Sequence, residues 1–305
     1  MAIKILKHTA INKKKWDSIV ESSENASIYM LSWYLDAVSP GWEALIQDDY
    51  AAIFPLPVKK KFGIKYLVRP NYSQCYRIVG NSITPEIEKK FLNTIKSAYR
   101  YAILRVASSD YLKLESFFTG INTNFELDLS KTYEELFSNF SKNHKKNIKS
   151  SRNKGLLIKE YLNIDDFVDF TRTSMDYKHV SFDSKVWSDM KILLHTLKKN
   201  CDGKYFATYD SAEQMCALTA IVNFKKRWYL LFNAANEAGR KQRALYFALD
   251  SFIKQYAGSH QILDFEGSNI PSIAYFFEGF GAIKTEYYSF EVNRLPALIR
   301  RTKAV

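Results

Sequence analysis

The chain carries a worn copy of itself, and that constrains its fold more than any other feature. Residues 103–122, ILRVASSDYLKLESFFTGIN, lie over residues 262–281, ILDFEGSNIPSIAYFFEGFG, without a gap at an offset of 159. Apolar strand positions, Ser109 with Ser268, and the FFxG at 117–120 with that at 276–279 fall in register. Upstream, Ile87, Phe91 and Ile95 match Leu245, Leu249 and Ile253 at an offset of 158, both trios at the i, i+4, i+8 spacing of one helix face. Further upstream, AAIFPLPVKKKFGIKYL (51–67) lies over ALTAIVNFKKRWYLLFN (217–233) at an offset of 166, each reading as two apolar runs around a basic turn, a hairpin signal. Three matches in the same order imply an ancient duplication.

Each half therefore predicts strand, strand, helix, strand, helix and then closing strand residues, ELDLS after the first copy and AIKTEYYSFEV after the second. Antiparallel strands followed by a β-α-β crossover give a mixed sheet with helices on both faces, an α/β class. The expected domains are 1–130 and 131–305, with no Pro/Gly-rich linker at the joint. At 305 residues with 47% hydrophobic and 15% aromatic side chains, there is apolar surface enough for both cores.

Forty-four Lys and Arg stand against 32 Asp and Glu, a formal charge of +12, which favours an anionic partner such as nucleic acid, phosphate or anionic lipid. Cys75, Cys201 and Cys216 are far apart and without CxxC spacing, so neither a disulfide framework nor a zinc site is indicated, and a reducing cytoplasm fits. The five histidines form no HExxH pair, so no metal is expected. The opening MAIKILKHTAINKKKW lacks a signal-peptide core, and no run nears the ~20 apolar residues of a membrane span. A soluble cytoplasmic protein with at most peripheral membrane contact is expected. The absence of a GxSxG elbow, a P-loop and a Cys/His pair argues against a covalent serine or cysteine mechanism and against an NTPase.

The joint itself reads FSKNHKKNIKSSRNKG (140–155), with five lysines, one arginine and no acid. On a helical wheel Phe137, Phe140, His144, Ile148 and Ser151 form one stripe, and Lys142, Lys145, Lys146, Lys149 and Arg152 gather on an adjoining face. That segregation predicts a docked connector helix. Its cations either face an interdomain cleft or are merely solvated.

These stretches carry a family resemblance. The duplicated strand-helix-strand pattern, KTYEELFSNFSKNHKKNIKSSRNKGLLI (131–158), ILDFEGSNIPSIAYFFEGFGA (262–282) and WYLDAVSPGWEALI (33–46) resemble the FemAB and peptidoglycan-bridge aminoacyltransferases, tandem acyltransferase-fold proteins of the GNAT superfamily. The resemblance implies two tandem GNAT-like domains over nearly the whole chain. In the connector, Ser141, Lys145, Ile148, Lys149 and Gly155 fill the family's places, with Lys145 where Arg is commoner. Lys in place of Arg removes a bidentate phosphate fork. The bridge-forming enzymes read Phe-Lys-x-Gly-Phe where this chain has Phe276, Phe277, Glu278, Gly279 and Phe280, so the Lys credited with helping acyl transfer is replaced by Phe277.

Acyl transfer to an amine needs a base, oxyanion donors and a groove for the donor's phosphates. The counterpart of the GNAT phosphate loop is NEAGRKQRAL (236–245), with Gly239, Arg240 and Arg243, but Lys241 replaces the second Gly. The expectation is an electrostatic phosphate site in place of a backbone cradle, or else a solvated cationic helix start. Asp264 and Glu266 stand two apart on a predicted strand, where the first copy has Arg105 and Ala107. Either acid is a candidate base or ammonium ligand. Alternatively, Asp264 pairs with a cation and Glu266 bonds backbone. Ser268 or Asn269 is the expected N-cap of the next helix, with Pro271 in its first turn. Tyr275 and Glu278 follow on that helix as further catalytic candidates, and Tyr177 in TSMDYKHVSF as a lining residue, beside Lys145, Lys149, Arg152, Arg240, Arg243 and Ser268 as substrate or anion ligands.

The function expected from all this is an N-acyltransferase. Its co-substrate would be acyl-CoA or aminoacyl-tRNA, with no tightly bound cofactor, and its acceptor a small-molecule or cell-envelope precursor amine. The alternative is a non-catalytic RNA- or anionic-membrane-binding module on a degenerate acyltransferase fold.

Overall fold

The computed structural model describes residues 2–61, 63–107, 118–161, 163–176 and 182–296. Tyr177 and Ser109 fall outside the described residues. The chain divides into two compact units: unit 1 is Met1–Asn122 with Glu286–Val305, and unit 2 is Thr123–Thr285.

Unit 1 runs β1 (Ile3–Leu6), α1 (Lys13–Ser22), α2 (Ser32–Val38), β2 (Glu43–Gln47), β3 (Ala52–Leu56), β4 (Val58–Lys61), β5 (Ile64–Val68), β6 (Val79–Gly80), α3 (Pro85–Ala98) and β7 (Tyr101–Val106). The chain leaves it within β8 (Phe118–Asp128). Unit 2 continues with α4 (Tyr133–Asn139), α5 (Lys142–Arg152), β9 (Leu157–Glu160), α6 (Ile164–Asp176), α7 (Ser184–Asn200), β10 (Gly203–Tyr209), β11 (Met215–Phe224) and β12 (Arg227–Ala235). It ends with α8 (Glu237–Gln242), α9 (Ala244–Tyr256), β13 (Ile262–Asp264) and α10 (Pro271–Glu278), and β14 (Ile283–Asn293) carries the chain back.

The two halves share their order of elements. In unit 1 the hairpin β4–β5 is followed by α3 and by β7, which pairs parallel with β5. In unit 2 the hairpin β11–β12 is followed by α8, α9 and by β13, which pairs parallel with β12. The matched helix faces are buried as their spacing predicts: Ile87, Phe91 and Ile95 on α3, and Leu249 and Ile253 on α9. The FFxG match fails. Phe118–Gly120 lies in strand β8, whereas Phe276–Glu278 lies in helix α10. The motif has different causes in the two places, as Gly279 below makes plain.

Each unit takes its last strand from beyond the other copy. Strand β7 pairs antiparallel with Tyr288–Asn293 of β14, which follows the second copy in sequence. Strand β13 pairs antiparallel with Glu126–Asp128 of β8, which follows the first. A boundary at residue 130 therefore separates unit 1 from the strand that completes its sheet. The strand order in unit 2 is β8-β13-β12-β11-β10-β9, and in unit 1 β4-β5-β7-β14 beside a small sheet β1-β2-β3-β6.

The unit 2 core gathers Phe125, Leu136, Phe140, Ile148, Trp228, Leu249, Phe252, Phe265, Phe277 and Phe280. The basic stretch is docked on it, as its stripe predicts, but not as one helix. The chain breaks at Phe140, which is extended, and Ser141 caps α5 by accepting a hydrogen bond from the His144 N–H. His144, Ile148 and Ser151 are buried.

Candidate functional site

Strands β12 and β13 part company. They are in parallel register only from Arg227 to Tyr229 against Ile262 to Asp264. Beyond Tyr229, β12 runs on to Ala235, and among the described residues no strand pairs with it on that side. Where they part, the ladder between β11 and β12 skips Leu231: Ala220 faces Phe232 and Ile221 faces Leu230. A bulge there bends the strand away and takes one residue's backbone out of the ladder. The carboxyl ends of parallel strands in α/β sheets gather ligands at such openings. Unit 1 has the same parallel pair, but its opening is filled. Tyr76 lies in a parallel bridge to Val106, its N–H donating to the Arg105 carbonyl and its carbonyl accepting from Ala107.

The end of β13 carries the two predicted acids, though not as the expected same-facing pair on a strand. The strand stops at Asp264, and Glu266 turns into the left-handed region at φ 61°. Asp264 is buried. One of its oxygens accepts from Arg227 Nη1 at 2.8 Å, and the other from the Glu266 backbone N–H at 2.8 Å. Arg227 also meets Glu126 at 2.9 Å, so one guanidinium serves two carboxylates from β8 and β13. Burial raises the Asp264 carboxyl above its usual range, opposed by Arg227 and helped by the Glu126 charge. Burial would lower Arg227, yet its two carboxylates raise it. Asp264 is thus paired with a cation, one of the two arrangements its place in the sequence leaves open. Glu266 is only half-buried at its surface, and desolvation pushes its carboxyl well above the usual range. Carboxyls raised in this way gather at functional sites and occur in structural networks as well.

The loop that follows corrects another expectation. The N-cap of α10 is Ile270, with no side-chain cap and Pro271 in the first turn. Ser268 instead accepts from the Ile270 N–H at 3.0 Å, and Asn269 accepts from the Thr123 N–H at 3.0 Å, tying the loop to β8. On α10, Tyr275 is 53% exposed and Glu278 is exposed. The helix's buried side faces His144, whose ring lies between Tyr246 and Phe280 at 4.9 and 4.8 Å. His144 Nε2 lies 2.8 Å from the Phe276 carbonyl, which can only accept, so the proton sits on Nε2 and Nδ1 accepts from Ser141 Oγ at 2.9 Å. Burial lowers its pKa.

The predicted cations separate into two groups. On α8, Asn236 caps the Gly239 N–H at 2.9 Å. Gly239 itself is needed for packing, since a Cβ there would come within 2.0 Å of the Cys216 carbonyl oxygen. Arg240 donates to the Ala235 carbonyl at 2.5 Å, and Arg243, left-handed at φ 64°, donates to the Arg240 carbonyl at 3.1 Å. The loop's glycine and cations therefore hold the β12–α8–α9 turn together. On α5, Lys145 donates to the Ser138 carbonyl at 2.6 Å. Arg152 clamps the buried Asp250 of α9 at 2.6 Å, and Tyr133 donates to the same carboxylate at 2.6 Å. Lys149 is exposed, as are Lys142 and Lys146.

Sequence reasoning missed Arg227, Glu126, Asp250 and Tyr76. The signals were faint: an arginine opening an otherwise apolar strand in KKRWYLLF, and a lone acid beginning ELDLS.

Two units of one topology, each with a parallel pair behind a hairpin and helix, define a FemAB-like fold of two GNAT-like domains. FemX has that fold: it matches with a TM-score of 0.69 at 12% identity, over 96% of this chain and 98% of its own. The C-terminal domain of a protein from Agrobacterium fabrum designated a lysylphosphatidylglycerol synthetase matches with a TM-score of 0.58 at 8% identity, over 92% of this chain and 91% of its own. L-PGS from Bacillus licheniformis matches with a TM-score of 0.52 at 11% identity, over 94% and 93%. No protein-family model matches the chain, and no curated protein sequence matches it. Among the described residues no helix is long and apolar enough to cross a membrane.

Proposed function

We propose that the protein is an N-acyltransferase whose chemistry belongs to unit 2, moving an acyl or aminoacyl group from acyl-CoA or aminoacyl-tRNA to an amine. The observation that carries this reading is the parting of β12 and β13 with the Glu266 carboxyl at the end of the shorter strand. In unit 1 the same opening is filled by Tyr76 and has Ala107 where Glu266 would stand.

In this reading Glu266 takes a proton from the acceptor amine as its nitrogen bonds to the acyl carbon. The bond from that carbon to the donor's sulfur or ribose oxygen breaks, and the leaving group departs with the proton that Glu266 took, which returns the carboxylate. A carboxyl raised above its usual range is a stronger base than an ordinary one. The Leu231 bulge supplies backbone beside the carbonyl, where an N–H can meet the developing oxyanion. Asp264 holds the Glu266 turn through the N–H it accepts. With the Gly239 N–H already capped, the backbone cradle for a CoA pyrophosphate is partly spent, which favours aminoacyl-tRNA as donor. The exposed lysines of α5 and the charge of +12 suit the same donor. A cell-envelope precursor amine is the proposed acceptor, in keeping with the sequence resemblance to the peptidoglycan-bridge aminoacyltransferases. The site uses no tightly bound cofactor.

The test is transfer of labelled acyl groups from acetyl-CoA, longer acyl-CoAs and charged tRNAs to a panel of amines, with thermal shift in parallel. Transfer lost in Glu266→Gln supports the reading. No shift with any donor and no transfer to any amine would sink it. Salt-sensitive RNA or anionic-vesicle binding that survives Glu266→Gln, without turnover, would establish the non-catalytic module instead.

A further inference from the structure

Unit 2 holds a pocket that acyl transfer does not use. Helix α9 packs on β11 and β12, and between its flank and the strands β9 and β10 lies a pocket of about 230 Å³. Ile158 of β9, Phe206 of β10, and Ala248 and Phe252 of α9 give it an apolar lining. All four also pack in the unit 2 core, so the lining is set by folding and needs no ligand to form it. Preformed, mostly apolar concavities with a few polar groups are where small molecules bind.

The rim carries one charge of each sign. Glu160 stands directly opposite Phe206 in the antiparallel ladder and shares its face, and Lys204, two residues before Phe206, is the diagonal neighbour of Glu160 on that face. Diagonal side chains of such length can meet. These two do not, and among the described residues neither makes an ion pair. Lys204 instead donates to the Tyr256 hydroxyl at the end of α9, which uses one of its three protons. On the α9 side, Ser251 donates its hydroxyl proton to the Phe247 carbonyl at 2.8 Å, which leaves its lone pairs for a ligand. Gln255, one turn on, is exposed.

These groups select a ligand by elimination. A fatty acid would meet Lys204 but be repelled by Glu160. An alkylamine would meet Glu160 but be repelled by Lys204. A neutral hydrocarbon would take water from both charges and return nothing. A zwitterion answers both, with charge-assisted hydrogen bonds at each end. An α-amino acid carries its two charges on one carbon and its side chain beside them, which matches a rim of paired opposite charges over an apolar lining.

We propose that this pocket binds a free α-amino acid with an apolar side chain. Glu160 takes the ammonium, Lys204 takes the carboxylate, and the side chain lies against Ile158, Phe206 and Phe252. Strands β11 and β12 stand between this pocket and the opening at β13, so the site is separate from acyl transfer and holds whether or not Glu266 is catalytic.

The experiment is titration calorimetry of the full chain with leucine and phenylalanine. Leucine is set against isocaproate and isoamylamine, and phenylalanine against hydrocinnamate and phenethylamine, which keep the side chain and one charge each; glycine keeps both charges without the side chain. Saturable binding of leucine or phenylalanine is expected, at least tenfold tighter than its two analogues and glycine. Glu160→Gln and Lys204→Met should each weaken it at least tenfold while melting within a few degrees of the wild type, since neither residue pairs with a charge of the chain. Ser251→Leu, which fills the pocket from a helix position, should abolish it. Glu266→Gln should bind as the wild type does. No binding of either amino acid, equal binding of the singly charged analogues, or undiminished binding in both Glu160→Gln and Lys204→Met would each overturn the site. Binding lost in Glu266→Gln would overturn it too, by moving the amino acid to the acyl-transfer opening.

Discussion

Gly279 and the His144 imidazole occupy what is in effect one space: a Cβ on Gly279 would lie 1.9 Å from His144 Cε1. Ser141 reinforces the contact, donating its N–H to the Gly279 carbonyl at 2.9 Å. The connector helix and α10 are thereby locked where α5 begins. Gly279→Ala should cost about 3 kcal/mol, the upper end for overpacking, since the ring has nowhere to retreat among Tyr246, Phe276 and Phe280. Urea denaturation would measure it, with unchanged m-value.

The same histidine predicts a pH dependence. Burial lowers its folded-state pKa below the unfolded value of about 6.5, so the unfolded chain takes up the proton first as pH falls. Its contribution is intact above the unfolded pKa and is lost as pH falls from there through the folded one. His144→Gln removes the proton while keeping a donor for the Phe276 carbonyl. Its melting temperature should therefore gain on the wild type between about pH 7 and 5; parallel curves would show that His144 does not titrate on unfolding.

Arg227 neutralises Glu126 and Asp264 together. Arg227→Ala leaves both acids in the sheet without a cation and should destabilise unit 2 by about 3–5 kcal/mol, lessened at low pH where the raised Asp264 carboxyl protonates. Thermal melts at neutral and acid pH check both parts.

The cations of the connector should divide sharply. Arg152→Ala strands the buried Asp250 and should cost about 3 kcal/mol, whereas Lys142→Glu, Lys146→Glu and Lys149→Glu should each change stability by no more than about 0.5 kcal/mol. Chemical denaturation of the four variants tests the division.

Glu266→Gln should leave the melting temperature within a few degrees and lower kcat by about 10²–10⁴-fold. In the wild type, kcat/KM should rise with pH through the raised Glu266 pKa, because the base acts only when ionised. A flat profile would remove Glu266 from the reaction.

The duplication, the hairpins, the paired helix faces and the docked stripe of the connector were legible because each is written locally, in apolar spacing. The two acids were legible as types but not as roles. Period-two reasoning put Asp264 and Glu266 on one face, and the left-handed turn at Glu266, fixed by the Asp264 side chain, separated them. Arg227 and Asp250 escaped notice because their importance lies in partners 37 and 98 residues away. Nothing in Phe277 or Gly279 as letters says that one fills a core and the other makes room for a histidine.

The exchange of closing strands bears on how the chain is born. On the ribosome, β7 waits with one edge bare until Tyr288–Asn293 arrive, after every residue of unit 2 has been made. The second unit, by contrast, has β8 in hand before its first helix appears. Synthesis runs from the first residue to the last, but completion runs the other way: the unit that begins the chain is the last able to finish, and a fragment stopping at residue 130 would expose a sheet edge of the kind that seeds aggregation.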